Sequence, residues 1–424
     1  MFSIIINEGG VMQGQRQKIL TRNVKYTHMS RRIHTGLLLL LAAVLFCGAG
    51  QAVVTETLNE TYHLGDYYTD ILSVSAANDG GYYLGIIHDD ILSLVKSDAK
   101  GNAIWSTNVT GSEFRLITTL SDGGCVYVTS LDTDTYLCRA DQTGKIIYEI
   151  PLTGVGAGVQ PVVINGNTIK FAGWFWETDT GFTQSFLLSD GTPANDQLSL
   201  PEGRIPVSMM KSGGDYVLVG GATSNVSAVS DEAWIMKIKD GGTVVWNTVI
   251  KTTSTEPEYY GPGSTAYALC EGEDGGYFVT GTTAPYNLST AFGIIWASMI
   301  SSDGTVTWEK EFRGAVPYGV AKLGDDYLIA GTGWNAPLWM TLTPAGALLQ
   351  VVYPEVTGQF NSVAQVSSGS VVMSGWSYLT GSPDGYLVEI TDDSVPAESP
   401  VPIAGIILGL SVAGIAAFIG SRRR

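Results

Sequence analysis

The chain restates one short pattern seven times between Ser73 and Thr391. Each copy has a turn rich in Asp and Gly, a β-rich run, a second β-rich run, and in most copies a Gly followed four residues later by an aromatic. The clearest copy, NDGGYYLG…ILSLVKSDAKGNAIWSTNVTG, runs from Asn78 to Gly111. Repeats of this size are typical of architectures whose units cannot bury a core alone. The pattern therefore predicts a repeat fold and argues against one conventional enzyme domain.

The copies align on their turns, where only Gly, Asn and Asp readily adopt the positive φ that tight hairpins need. The turns are Asp79-Gly80-Gly81, Asp122-Gly123-Gly124, Asn165-Gly166-Asn167, Gly213-Gly214-Asp215, Asp274-Gly275-Gly276, Gly324-Asp325-Asp326 and Ser368-Gly369-Ser370. Each turn leads into a strand-like run such as Tyr216–Gly220. With a leading strand and the Gly-x-x-x-aromatic strand, a unit of about 45 residues has four antiparallel strands, the size of a propeller blade.

The two ends of the repeat predict how it closes. The seventh unit stops at Thr391 without its fourth strand, and residues 53–65 form a strand-like run that belongs to no unit. Pairing that run with the seventh unit would leave no open sheet edge. We therefore predict an all-β, seven-bladed β-propeller of four-stranded antiparallel blades over residues 53–391, closed by the N-terminal strand.

The wording of the repeat, DGGYxxxG…W-I/L-x-K-x-D-x-x-G-x-x-x-W, resembles the secreted propeller repeats abundant in archaeal surface proteins, especially those of methanogens, and in some bacteria. The resemblance implies a propeller with an extracellular binding role and does not specify the ligand. The third unit has no tryptophan in its last strand, and the seventh lacks that strand. The Asp-x-x-Gly-x-x-x-Trp element also resembles the docking repeat of quinoprotein dehydrogenases, but the adjacent cysteine pair often found at their cofactor site is missing from this sequence. We interpret the tryptophans as packing between blades and predict no cofactor.

The N-terminal 52 residues have the composition of an export signal. Arg31-Arg32 precede an apolar run from Leu37 to Phe46, followed by small residues up to Ala52. This order is typical of a signal peptide, and we predict cleavage after Ala52. Signal peptides seldom carry a polar leader as long as residues 1–28, so the predicted translation start is Met29.

The C-terminal residues predict a membrane anchor. Residues 401–420 contain no charge and are followed by an arginine tail at 421–424, which the positive-inside rule places in the cytoplasm. The linker 392–400 carries Val395, Pro396 and Pro400 in a V-P-x-x-x-P arrangement. Linker, helix and arginines resemble the sorting tails that archaeosortases process, a family that cuts the tail and moves the protein to a lipid anchor. Either a permanent helix or that replacement anchor would hold the protein at the cell surface, with an archaeosortase as a partner in the second case.

Charge and sequons agree with an exported body. The chain is 45% apolar and 15% charged, with a net charge of −17. Because basic residues concentrate at the two ends, the body between them is more acidic still and should repel nucleic acid. Four sequons in the exported part make plausible glycosylation sites, at Asn59, Asn108, Asn225 and Asn287.

Cysteines and acidic pairs leave alternatives open. Cys125 and Cys138 flank one hairpin and predict either a cross-strand disulfide or two buried thiols, whereas Cys270 has the context of a core residue. Asp132-Thr-Asp134 and Asp89-Asp90 resemble calcium ligands, but they lack the further acids of a complete loop. We predict no metal, with a structural calcium as the alternative.

The sequence contains little that indicates catalysis. Two histidines follow the signal, His63 and His88, and no nucleophile elbow, zinc-protease motif or P-loop accompanies them. We predict a non-enzymatic surface module that binds an envelope glycan or another surface protein. The alternatives are an extracellular carbohydrate-active enzyme, a lyase or hydrolase, and a structural envelope component.

The long connections between strands all fall on one face of the predicted ring, which is where functional residues concentrate. The residues predicted for this ligand-binding face are Trp174, Trp176, Glu177, Tyr259, Tyr260, Tyr286, Trp334, Trp376 and Tyr378. Exposed aromatics among polar residues suit sugar stacking or a protein partner. The alternative is that the rings fill the wide end of the barrel.

Overall fold

The computed structural model describes residues 54–65, 67–131, 134–155, 163–165, 167–175, 177–222, 232–250, 264–283, 294–312, 315–333, 336–378 and 381–395. These residues form seven antiparallel sheets of four strands each. The predicted all-β propeller with seven four-stranded blades is thereby confirmed. Alternating runs rich in Val, Ile, Tyr and Phe form the strands, because both faces of each blade are buried against its neighbours.

The strand bounds follow the repeat units. In chain order they are β1 (Val54–Tyr62), β2 (Thr69–Ala76), β3 (Tyr82–His88), β4 (Ile91–Ser97), β5 (Ala103–Asn108), β6 (Glu113–Thr119), β7 (Cys125–Leu131), β8 (Asp134–Ala140), β9 (Ile146–Leu152), β10 (Val163–Asn165), β11 (Thr168–Phe175), β12 (Thr180–Leu187), β13 (Leu198–Ser199), β14 (Arg204–Ser212), β15 (Asp215–Ala222), β16 (Glu232–Lys239), β17 (Val244–Ile250), β18 (Ser264–Glu271), β19 (Tyr277–Thr283), β20 (Ile294–Ile300), β21 (Val306–Phe312), β22 (Ala315–Leu323), β23 (Asp326–Gly333), β24 (Ala336–Leu342), β25 (Leu348–Val352), β26 (Thr357–Ser367), β27 (Ser370–Tyr378) and β28 (Pro383–Asp392). Blades one to six take four consecutive strands each, from β2–β5 to β22–β25.

The N-terminal strand completes the last blade. The seventh sheet has the order β1-β28-β27-β26, and β1 pairs with β28 from Val54 opposite Asp392 to Tyr62 opposite Gly385. First and last strands of the propeller therefore share one sheet, which closes the ring between blade one and blade seven. The predicted closure is confirmed.

The two faces of the ring differ. We call the end at which first strands turn into second strands the short-turn face, and the opposite end, where second strands lead to third strands and blades connect, the loop face. Val54 and Asp392, at the ends of the paired strands β1 and β28, both lie at the short-turn face. Val395 contacts Gly324 and Gly369, which belong to short turns of blades six and seven. Both ends of the described propeller therefore lie on the short-turn face.

The Lys-x-Asp element of the repeat stabilises the inside of one blade. Buried Lys96 on β4 donates to Asp79 in the first turn of its own blade at 2.9 Å, and its ammonium lies 5.5 Å from the centre of the Tyr83 ring. Asp98 accepts the backbone N–H groups of Lys100 and Asn102 at 2.8 Å each and so closes the following hairpin. The lysine of the repeat therefore stabilises the first turn of the blade, and the aspartate stabilises the last turn.

The aromatic that ends the repeat joins one blade to the next. Three indole N–H groups donate to a carbonyl in the last hairpin turn of the following blade: Trp105 to Gln142 at 3.1 Å, Trp246 to Ser302 at 3.1 Å, and Trp308 to Pro344 at 2.8 Å. Each ring covers the positive-φ glycine of that turn. On β1 the hydroxyl of Tyr62 makes the same kind of bond to Gly101 of blade one. The interpretation of the tryptophans as packing between blades is confirmed.

Several predictions concern residues outside the described ranges. They include the leader and signal at 1–52, with Met29, and the segment 396–424 with Pro396, Pro400, the helix at 401–420 and the arginine tail. Among the residues that the structure describes, no helix has the length and apolar character needed to cross a membrane.

Candidate functional site

Of the residues predicted for the ligand-binding face, the structure describes those on blade three and those on blade seven. Trp174, near the end of β11, and Trp376, near the end of β27, each follow a second-strand glycine, as predicted, and both are half-buried. Glu177 is exposed in the connection after β11. The predicted residues Trp176, Tyr259, Tyr260, Tyr286 and Trp334 lie outside the described residues. Blades three and seven are not adjacent, so the structure does not bring Trp174 beside Trp376.

The better-defined part is an aromatic pair on blade seven. Trp376 and Tyr378 point to the same side of β27, with ring centroids 5.5 Å apart and planes at 85°. Tyr378 is 47% exposed. Edge-to-face contact holds the two rings in a fixed mutual orientation. The pair therefore offers a rigid, partly exposed apolar surface.

Two residues of the segment that follows β1 were missed from the sequence. Tyr67, in the connection from β1 to β2, is 78% exposed, and its backbone N–H donates to Asp89. His63 Nδ1 lies 2.6 Å from an oxygen of Asp384, with the His63 side chain 58% and the Asp384 side chain 1% exposed. Because β1 joins blade seven only through closure of the ring, no local signal places His63 beside Asp384.

The His63–Asp384 contact lies on the other side of the sheet from the aromatic pair. Asp384 pairs with Ser377, which alternates with Trp376 and Tyr378 along β27. We call Trp376 and Tyr378 the blade-seven patch.

A second candidate site lies on the propeller axis, where first strands are irregular. Six first strands skip one residue in their pairing with the second strand, at Leu72, Arg115, Val207, Tyr267, Tyr318 and Asn361. The corresponding part of blade three is outside the described residues. A bulge changes the direction of the extra side chain. Because the bulge occurs at the equivalent position of each of these first strands, the six extra residues lie at about the same height along the propeller axis.

In blades four to seven the second-strand glycine lies against the first strand beside the bulge. A Cβ at Gly331 would lie 1.9 Å from the carbonyl oxygen of Val316, and one at Gly375 would lie 1.9 Å from that of Gln359. The two backbones approach this closely because the side chain is missing. Blade two has the bulge without a glycine on β7, so the Gly of DGGYxxxG accompanies the bulge in blades four to seven and does not by itself account for it.

The bulged side chains of blades four, five and six meet. Val207, Tyr267 and Tyr318 form an apolar cluster separate from those between blades. Since the three residues come from successive first strands, their contact takes place at the axis. In blade one the bulged Leu72 packs instead into the interface towards blade two, beside Phe114.

The opposite wall of the channel is polar. Asn361 Nδ2 donates to Asp70 Oδ1 at 2.7 Å, and Gln359 Nε2 donates to Asn361 Oδ1 at 2.7 Å. Burial, partly offset by the Asn361 hydrogen bond, raises the pKa of Asp70 to about 7. Asp70 nevertheless keeps some accessible surface, because it faces the lumen and not a blade interface.

Tyr318 connects the two walls electrostatically. Burial and the charge of Asp70 raise the pKa of Tyr318 to about 12. Blade seven separates these two residues along the ring, so they influence each other across the channel. In blade two, the bulged and fully buried Arg115 pairs with Glu113 at 2.5 Å. We call Asp70, Asn361, Tyr267 and Tyr318 the axial cluster.

Of the two alternatives for the hairpin cysteines, the structure has the buried thiols. Cys125 pairs with Ala140, and Cys138 pairs with Tyr127, so the cysteines are offset by two pairs in the register. Both are free and buried, as is Cys270, and burial raises the pKa of all three thiols. The alternative of a cross-strand disulfide assumed directly opposed partners, which the register of this hairpin does not provide.

The structure gives the acidic pairs other partners. Asp89 Oδ1 accepts the backbone N–H groups of Tyr67 and Tyr68, and Asp90 accepts the hydroxyl of Tyr68. Asp134 is exposed, and Asp132 is outside the described residues. Across the part of the chain that the structure describes, no three His, Cys, Asp or Glu side chains are grouped as metal ligands would be.

The sequons that the structure describes lie on outer strands. Asn59 on β1 and Asn108 on β5 are exposed, although Asn59 donates to Glu56 at 2.5 Å and Asn108 accepts from Ser93 at 3.1 Å. Asn225 and Asn287 are outside the described residues. Glycosylation stays a prediction at all four positions.

Comparison with known proteins defines a class and no family. No protein-family model and no curated protein matches the chain. Among solved structures, a protein from Lactobacillus plantarum is 13% identical with a TM-score of 0.50, over 66% of this chain and 84% of that one. The polysaccharide lyase Uly1 is 9% identical with a TM-score of 0.51 (76% and 90%), and the AfRom2 CNH domain is 8% identical with a TM-score of 0.50 (80% and 100%). At these identities the likeness shows the β-propeller fold alone.

Proposed function

We propose that this chain is an exported, surface-anchored binding module that recognises an envelope glycan or another surface protein on its loop face. The supporting observation is the placement of the ends and the patch. Val54 and Val395 lie at the short-turn face, whereas Trp376 and Tyr378 lie at the loop face. An anchor attached after Val395 would present the blade-seven patch away from the membrane.

Glycan is the ligand that the patch fits best. Fixed aromatic rings supply large contact area with little loss of conformational entropy on binding. The exposed face of Tyr378 suits the apolar face of a sugar ring. The net charge of −17 disfavours strongly anionic polymers, so a neutral glycan is expected.

The test is a glycan array probed with the purified full-length chain. We expect selective binding that Trp376→Ala reduces by about tenfold or more, while melting temperature changes little. Ile104→Ala is the matched control, because Ile104 is 59% exposed on an outer strand away from the loop face. Absence of glycan binding, together with failure to bind envelope protein from the producing cells, would contradict the proposal.

One observation favours an extracellular carbohydrate-active enzyme as a second candidate. His63 beside the buried Asp384 has the arrangement of a general base held by a carboxylate, on the same blade as the aromatic pair and on the other side of its sheet. Mass spectrometry of array ligands after incubation separates the two functions. Cleavage that His63→Gln abolishes without loss of binding would establish the enzyme, whereas binding without cleavage supports the module.

A further inference from the structure

The axial cluster holds polar groups that the described protein does not satisfy. Within the described residues, Asp70 has one hydrogen-bond partner, Asn361, which bonds to a single carboxylate oxygen. For the hydroxyls of Tyr267 and Tyr318 no hydrogen bond is found among the described residues, and both side chains keep some accessible surface. Enclosed polar groups without partners are unfavourable unless water or a ligand supplies the missing bonds.

The position of these groups gives them a common approach. Asp70, Tyr267 and Tyr318 lie a few residues inside the loop-face ends of β2, β18 and β22. They come from blades one, five and six, and Val207 packs against both tyrosines from blade four. A narrow ligand entering from the loop face would thus meet apolar surface on one side and a carboxylate on the other.

The chemistry of the cluster favours a cation with several N–H donors. An ammonium group has three donors, and Asp70, Tyr267 and Tyr318 supply acceptor oxygens. Its charge is attracted by Asp70 and by the faces of the tyrosine rings. Arg115, the cationic residue among the bulged positions, is paired with Glu113. A divalent metal would need more oxygen ligands than one unpaired carboxylate supplies.

We propose that the propeller channel binds a primary ammonium group on an alkyl stem, with Asp70 as its counter-ion, Tyr267 and Tyr318 around the nitrogen, and Val207 beside the stem. The source is a free alkylamine or a lysine side chain of a partner protein. This site is separate from the blade-seven patch. The raised pKa of Asp70 agrees with the proposal, because a carboxylate without a bound cation is unfavourable in this enclosed position.

Calorimetric titration of the purified full-length chain at pH 8 tests the site with two amines. The probes are Nα-acetyl-lysine N-methylamide and n-butylamine, and Nα-acetyl-norleucine N-methylamide is the uncharged control. We expect saturable binding of at least one amine and none of the norleucine derivative. Tighter binding of the lysine derivative assigns the site to a protein lysine, and tighter binding of butylamine assigns it to a free amine.

Two variants locate the amine. Asp70→Asn keeps the shape and the Asn361 hydrogen bond and should weaken binding about tenfold or more; Tyr318→Phe should weaken it less. Asp325→Asn, an exposed acid on the short-turn face, is the matched control and should change nothing. Unchanged affinity in both Asp70→Asn and Tyr318→Phe, equal binding of the norleucine derivative, or no binding of either amine would overturn the proposal. Trp376→Ala should leave amine binding intact, so this test fails or succeeds independently of the glycan test.

Discussion

At the scale of single residues, Asp70 is an acid that the fold itself does not require. It lies in an enclosed position facing the channel, where burial raises its pKa to about 7 from 3.8. Carboxylates with raised pKa values and no cationic partner are more frequent at functional sites than at purely structural ones. Asp70 therefore lowers the stability of the folded protein at neutral pH, and a role in binding a cation would explain its presence.

The sign of this penalty gives a pH-dependent prediction. Well below pH 3.8 Asp70 is protonated in both the folded and the unfolded chain, so its ionisation has no effect on stability. As pH rises from about 4 to about 7, the unfolded chain ionises first and the folded state loses stability, by about 1.4 kcal/mol for each unit of the shift. Tyr68 and Tyr318, the other titratable groups near Asp70, have raised pKa values and stay neutral in this range.

Asp70→Asn should therefore raise the melting temperature at pH 8 and leave it unchanged near pH 4. Thermal unfolding of both proteins from pH 4 to pH 8 measures the difference. If the substitution changed the melting temperature equally at every pH, folding would not raise the pKa of Asp70.

Gly331 shows how one residue fixes the backbone around the channel. An added Cβ would meet the Val316 carbonyl oxygen at 1.9 Å, which forces β22 and β23 apart at the bulge. We expect Gly331→Ala to destabilise the protein by about 1–3 kcal/mol in urea unfolding. Gly214→Ala is the control, because nothing lies within 4 Å of that position and its φ is not positive. Equal stability of the two variants would contradict this role.

At the scale of elements, the repeat predicted the blades because each of its parts has a local role. Asp98 closes a hairpin, Lys96 holds the first turn, and Trp105 joins the next blade, so pattern and structure coincide. Closure by β1 was also predictable. The seventh unit has only three strands, and the strand that precedes the first unit belongs to no unit, so pairing the two completes the seventh blade. The bulges were not predicted, because they depend on contact between backbones of two strands.

The candidate sites were less predictable than the blades. Trp376 and Tyr378 were found because loop-face aromatics follow the second strand. His63 was missed, because its partner Asp384 comes from the other end of the chain. Asp70, Tyr267 and Tyr318 occupy no motif, and their proximity arises from the ring as a whole.

Docking of tryptophan on the next blade gives a prediction for one element. Trp246 bonds to Ser302 and covers Gly304 of the following blade. Trp246→Ala should lower the free energy of unfolding. Loss of a buried tryptophan costs about 3–5 kcal/mol, and we expect a value near the lower limit because this ring is half-buried. Val245→Ala, at a neighbouring position that is 45% exposed, should have little effect. Similar losses in both variants would show that the indole does not join the blades.

At the scale of the whole molecule, the orientation of the ring decides which candidate sites face outward. Both ends of the described propeller lie on the short-turn face, and the blade-seven patch and the entrance to the axial cluster lie on the loop face. A protein held by its C-terminal segment would then turn both candidate sites outward. This arrangement joins the fold to the proposed binding function.

Cysteine labelling on intact cells tests this orientation most directly. Tyr378→Cys places a thiol on the loop face, and Gly214→Cys places one in an open short turn, while Cys125, Cys138 and Cys270 are buried. A membrane-impermeant maleimide carrying a bulky polymer should react much faster with Tyr378→Cys than with Gly214→Cys on cells, and at similar rates with the two purified proteins. Equal rates on cells, or faster reaction of Gly214→Cys, would contradict the outward orientation of the loop face.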